Sequence, residues 1–135
     1  MIRAAISAPS PSVTGASCTT TRRRVFSTEA ATAAAEEGKE LEVIDARSLS
    51  PLDLPTLQAS VRKTGRLVVV HEAPVFLGMG AEIAARISES CFYSLEAPVL
   101  RVGGFDTPYP PSRVEEDYLP DLDRVLDAVD RSLAY

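Results

Sequence analysis

The residues best suited to chemistry stand at the end of one apolar run. Leu67 to Val70 is unbroken and rich in β-branched side chains, and the chain's single histidine, His71, follows it, with Glu72 next. A histidine beside a carboxylate is the raw material of general acid–base work. Neighbours along a strand, however, point to opposite faces, so the pair is read as a structural strand end rather than a catalytic dyad. Gly78-Met79-Gly80 lies a few residues on, before a helical pattern, where backbone amides are able to hold an anion. Two glycines before a helix also serve simply as a turn. The carboxylates Glu115, Glu116, Asp117, Asp121, Asp123, Asp127 and Asp130 form a solvated face, with a docking surface for a basic partner as the alternative.

Several chemistries are excluded. The sequence has no phosphate-binding loop, no glycine-rich dinucleotide fingerprint after a strand, no nucleophile elbow and no metal-ligand cluster. Cys18 and Cys91 are far apart and fit no metal spacing, and Cys91 falls on an apolar helical stripe as a buried, inert thiol. A formal charge of −5 argues against nucleic acid as a partner. No apolar run approaches the ~20 residues that span a bilayer, so no membrane partner is expected.

The elements that must position these residues alternate. An alanine-dense helix is expected over Thr28 to Glu37, stopped by Gly38, then a strand over Leu41 to Asp45. Asp53 caps a helix through Thr64 whose Leu54, Leu57 and Val61 share one face, with Gly65 at its end. The apolar run through Val70 reads as a central strand covered on both sides. Ala81 to Cys91 is a helix with Ile83, Ala84, Ile87 and Cys91 inward, and Val99 to Val102 is a strand closed by Gly103-Gly104. Phe105 to Pro120, with Pro108, Pro110 and Pro111, reads as irregular surface chain. Asp121 caps a last helix with Leu122, Val125, Leu126, Val129 and Leu133 as its stripe. This order implies a three-layer α/β/α domain with a mainly parallel central sheet, over residues 27–135.

Residues 1–26 differ in kind. No acidic residue precedes Glu29, and Arg3 and Arg22 to Arg24 stand among Ser, Thr, Ala and Pro. The composition is that of a disordered extension or of a targeting peptide. A cytoplasmic location is expected, with the mitochondrial matrix as the alternative if the segment is a presequence.

The runs LEVIDARSLSPLD, VRKTGRLVVVHEAP, GAEIAARI, CFYSLEAPVLRVGGFDTPYPP and YLPDLDRVLDAVDRSLAY are collinear and cover nearly all of 28–135. Together they resemble the C-terminal domain of transketolase-type beta subunits of 2-oxo acid dehydrogenases. HEAP and LEAPVLRV with DTPYP are most similar to the branched-chain member, then to the pyruvate and acetoin members. The family's first strand, an apolar segment before the alanine-rich helix, is expected to be missing here. So is the larger N-terminal domain that, in the family, binds thiamine diphosphate with Mg²⁺.

The resemblance therefore implies a chain without its own cofactor, serving assembly with an alpha subunit and a second beta subunit. It also implies docking to the dihydrolipoyl acyltransferase core, for which Glu96 and Tyr135 match the positions of interest. Two alternatives stay open, a split enzyme whose cofactor domain is on another chain and a remnant without function.

Overall fold

The computed structural model describes residues 2–8 and 26–135. Its elements are β1 (Ile2–Ala8), α1 (Phe26–Glu36), β2 (Glu40–Asp45), α2 (Leu54–Thr64), β3 (Val68–Pro74), α3 (Met79–Cys91), β4 (Leu100–Gly104), α4 (Glu115–Tyr118) and α5 (Leu122–Leu133). One four-stranded sheet has the order β2-β1-β3-β4. Strands β3 and β4 pair in parallel, and β1 runs antiparallel to both β2 and β3. Strands β2, β3 and β4 thus share a direction and β1 opposes them, so the sheet holds one parallel pairing and two antiparallel ones.

Alternation along β3 explains the three layers. Leu67 and Val69 pack with Leu57, Val61, Ile83, Ile87 and Cys91 of α2 and α3. Val68 and Val70 face the other way, into Ala30 of α1 and Val125, Ala128 and Val129 of α5. A strand buried on both faces needs an unbroken apolar run, which is what its sequence shows. The helices start and stop where their ends are satisfied. Asp53 and Asp121 each accept an amide hydrogen bond, from Thr56 and Arg124. Gly65 closes α2 in the left-handed region at φ 71, its amide bonded to the Val61 carbonyl.

Three expectations change. Residues 2–8 are a strand, not an extension, and they fill the slot between β2 and β3 that a missing first strand would leave. A composition argument weighs side-chain burial and overlooks backbone. Two neighbouring strands with unpaired N–H and C=O groups accept any passing segment free of proline and glycine, such as IRAAISA. Residues 9–25, with Cys18 and the Arg22 to Arg24 cluster, lie outside the described residues. Next, β4 ends with Gly103-Gly104 instead of stopping before them. Finally, the irregular stretch after Phe105 contains a helical turn, Glu115–Tyr118, and buries Tyr118 to 5% exposure.

Candidate functional site

The carboxyl edge of the sheet gathers His71, Glu72, the loop after β3 and the loop after β4. His71 is 3% exposed, and the next residue, Glu72, is exposed on the opposite face, as strand alternation requires. They do not form an acid–base pair. The Tyr109 hydroxyl donates toward Glu72 and toward Glu115, and the Glu115 carboxylate foremost holds the phenol protonated, its pKa pushed up to about 12. The two loops are braced together: the Phe76 amide donates to Asp106 Oδ1 at 2.8 Å, and Arg101 Nη1 donates to the Val75 carbonyl at 3.2 Å.

His71 is held by shape. A Cβ added at Gly78 would lie 2.7 Å from its Cε1, at Gly80 2.4 Å from its Nε2, and at Gly103 2.9 Å from its Cε1. Three glycines therefore let backbone close around the ring. Both ring nitrogens are buried and without a hydrogen-bond partner, so the loop is not anchored by a histidine hydrogen bond. Desolvation pushes the pKa of His71 below its ordinary value and Arg101 adds to this. The nearby Ala73 backbone opposes the shift without reaching hydrogen-bond geometry.

Around Gly103-Gly104 a second group gathers on the α5 face. Tyr118 packs edge-on against Phe105 and Tyr109, at centroid distances of 6.3 and 5.1 Å. The Arg124 guanidinium lies 4.6 Å from the Phe105 ring centroid and donates from Nη2 to the Gly103 carbonyl at 2.6 Å. Sequence reasoning missed this group, because it depends on Tyr118 folding back from a proline-rich stretch. The signal was present in Gly103-Gly104, since strand glycines mark close approach of other atoms.

Glu96 and Tyr135 lie at the opposite, amino edge. Arg66 is nearly buried; its Nη1 pairs with Glu96 and its Nε donates to the Ser132 carbonyl at 2.9 Å. That link brings Glu96 to the end of α5, three residues before Tyr135. The Glu96 side chain is 58% exposed and Tyr135 is 73% exposed, so both reach solvent beside a buried cation. Cys91 is buried, as its place on the stripe of α3 implies.

No group of three His, Cys, Asp or Glu side chains converges as a metal would need among the described residues. Among the described residues no helix is long and apolar enough to cross a membrane.

The sequence and the overall fold match a known family. The model of the transketolase C-terminal domain matches residues 18–125, and the chain belongs to that family. Strand β1 precedes the matched stretch. A pyruvate dehydrogenase E1 component subunit beta from Leifsonia xyli is 62% identical over 106 residues, which cover 78% of this chain and 32% of that protein. A 3-methyl-2-oxobutanoate dehydrogenase subunit beta from Mycobacterium tuberculosis is 60% identical over 102 residues, 76% of this chain and 29% of that one. The solved structure of a split gene transketolase, an inactive beta4 tetramer, superposes with a TM-score of 0.64 at 32% identity. It is covered to 34%, against 81% of this chain. The chain spans about a third of the length of these relatives, which are beta subunits of 2-oxo acid dehydrogenases and a transketolase.

Proposed function

We propose that this domain serves subunit assembly and docking in a 2-oxo acid dehydrogenase of the branched-chain type, and carries no thiamine chemistry of its own. The observation that supports it is the amino-edge arrangement of Arg66, Glu96 and the end of α5, which sets an exposed Glu96 beside the chain end where Tyr135 is also exposed. A half-exposed carboxylate oriented by a buried guanidinium is a pre-positioned contact for a basic segment, of the kind that steers encounter and fixes register. The partners are an alpha subunit, a second beta subunit and the dihydrolipoyl acyltransferase core. Relatives of both the pyruvate and the branched-chain kind share its sequence, so the branched-chain preference rests on the HEAP and LEAPVLRV motifs.

Calorimetric titration with the subunit-binding segment of the acyltransferase tests the reading. Saturable binding is expected, weakened by Glu96→Gln and by removal of Tyr135. A folded protein that binds neither this segment nor an alpha subunit overturns it. Thiamine diphosphate with Mg²⁺ is expected to give no saturable heat in the same instrument.

A second reading has its own support. The structural relative is itself a split gene transketolase. A separate chain that supplies the cofactor domain would make this one half of an active enzyme. Restored decarboxylation on mixing the two chains would favour it.

A further inference from the structure

The start of α3 has an unusual combination of features. Its N-cap is Gly78, and no side chain caps it. The first-turn amides of Met79 and Gly80 have no acceptor within the helix. Glycine at 78 and 80 leaves no side chain over those amides, and Gly78 and Met79 are only half-buried. Directly against this turn lies the His71 ring, 97% buried, its Nε2 facing Gly80 and both nitrogens unpartnered. An imidazole buried without a hydrogen bond carries an uncompensated desolvation cost, which an incoming partner would offset.

The charges facing this spot favour an anion. From β4, the Arg101 side chain passes beside it, its Cδ 3.6 Å from the position of a Cβ on Gly80. From β3, Glu72 points to the other face and accepts from Tyr109. On α3, Glu82 is paired with Arg86 at 2.6 Å. A helix N-terminus, worth roughly half a positive charge, thus lies against a ring able to take a proton and beside the stem of Arg101, whose guanidinium rests on the neighbouring Val75 carbonyl.

We propose that the α3 N-terminus, with His71 beneath it and Arg101 beside it, is a binding site for a tetrahedral oxyanion of the phosphate class. Such an ion carries up to two negative charges, which matches a protonated imidazole, a guanidinium and the helix end together. Binding favours a proton on the ring, because the charge of the anion offsets the burial that disfavours the protonated form. The site is independent of the amino-edge docking surface, so either assignment can fail alone.

The test uses the full chain, with sulfate as probe because its charge is constant across the pH range. Amide nitrogen–hydrogen spectra are followed through a sulfate titration at constant ionic strength. Met79 and Gly80 are expected to shift first and to saturate. The affinity should strengthen about tenfold on going from pH 8 to pH 6, as the coupled proton becomes available. His71→Gln, which keeps the volume, should remove that pH dependence, and Arg101→Gln should weaken binding at both pH values. Arg86→Gln, on the exposed face of the same helix, should change neither. A second arm with phenyl phosphate separates a free ion from a phosphoryl group on a larger molecule; binding of either kind at Met79 and Gly80 supports the site. Unsaturable shifts spread over all basic residues would overturn it, as would an unchanged pH dependence in His71→Gln.

Discussion

Arg66 reaches from the start of β3 to Glu96, across the one position where a left-handed glycine, Gly65, brings the Glu96 side chain against the backbone. A Cβ on Gly65 would lie 2.8 Å from Glu96 Cγ. The same guanidinium donates to the Ser132 carbonyl, so β3, the LEAP turn and α5 are joined at one cation. Removing Glu96 leaves Arg66 nearly buried with its charge uncompensated. Because Glu96 itself is more than half exposed, the cost is discounted from the buried-pair range. Glu96→Ala is expected to lower stability by about 1 kcal/mol. The double variant Arg66→Met/Glu96→Leu, which removes both charges, should recover part of that loss. Urea unfolding of the three proteins measures it. If Glu96→Ala leaves the midpoint unchanged, the pair is a surface contact of no energetic consequence.

His71 makes stability depend on pH in a definite direction. Its pKa in the folded state is depressed below the ordinary value of 6.5, chiefly by burial. Above that value the ring is neutral in both states and contributes no penalty. As pH falls below it, the unfolded chain takes up a proton that the folded chain resists, so stability is lost until the folded pKa is passed. The urea midpoint should therefore fall between pH 7.5 and pH 5.5 in the wild type, and fall less in His71→Gln. Parallel pH profiles would show that other groups control this window.

Much of the fold was legible because its signals are local. The caps Asp53 and Asp121, the stop at Gly65 and the stripes of α2, α3 and α5 each depend on a few neighbouring residues, and each stands where the spacing puts it. The unbroken apolar run of β3 told of a strand covered on both sides. What was hidden is non-local. Nothing in Ile2 to Ala8 announces a strand, since its place comes from the slot between β2 and β3. The same holds for Tyr118, buried by a return of the chain, and for the Arg66 link between Glu96 and Ser132. The burial of His71 was legible, but its lack of a partner was not, because the backbone that closes on the ring comes from Gly78 and Gly80 on the next loop and from Gly103 on another strand.

Tyr118 offers a test of the group on the α5 face. Its hydroxyl is buried and has no partner, and a Cβ on Gly104 would lie 2.7 Å from it. Tyr118→Phe removes a desolvated polar atom while the ring keeps its edge-on contacts with Phe105 and Tyr109. The expected result is unchanged stability or a gain of about 1 kcal/mol. Gly104→Ala forces the ring and hydroxyl away from the strand and should cost about 1–3 kcal/mol. In the background of Tyr118→Phe that cost should shrink, because one of the colliding atoms is gone. Thermal unfolding of the four proteins makes the cycle. A Tyr118→Phe variant destabilised by more than a kcal/mol would mean the hydroxyl has a partner.

The N-terminal strand is the part of the fold that composition argued against, and one substitution decides whether it holds the sheet together. Ala4 pairs with Ile44 of β2 and with Val69 of β3, so it lies inside the sheet with a neighbour on each side. Every amide hydrogen of such a strand points to one neighbour or the other. Proline at this position has none to give, leaves a carbonyl across the ladder unpaired, and is confined in proteins almost entirely to edge strands. An orphaned buried carbonyl alone costs about 1–3 kcal/mol, and the proline ring adds to it. Ala4→Pro should therefore lower the urea midpoint and speed amide exchange at Val43, Ile44 and Val69, whose positions are set by the β1 registry. Amides in α3 should be affected only through global unfolding. If midpoint and exchange match the wild type, residues 2–8 do not occupy the slot, and β2 must be held to the domain by α1 and α2 alone.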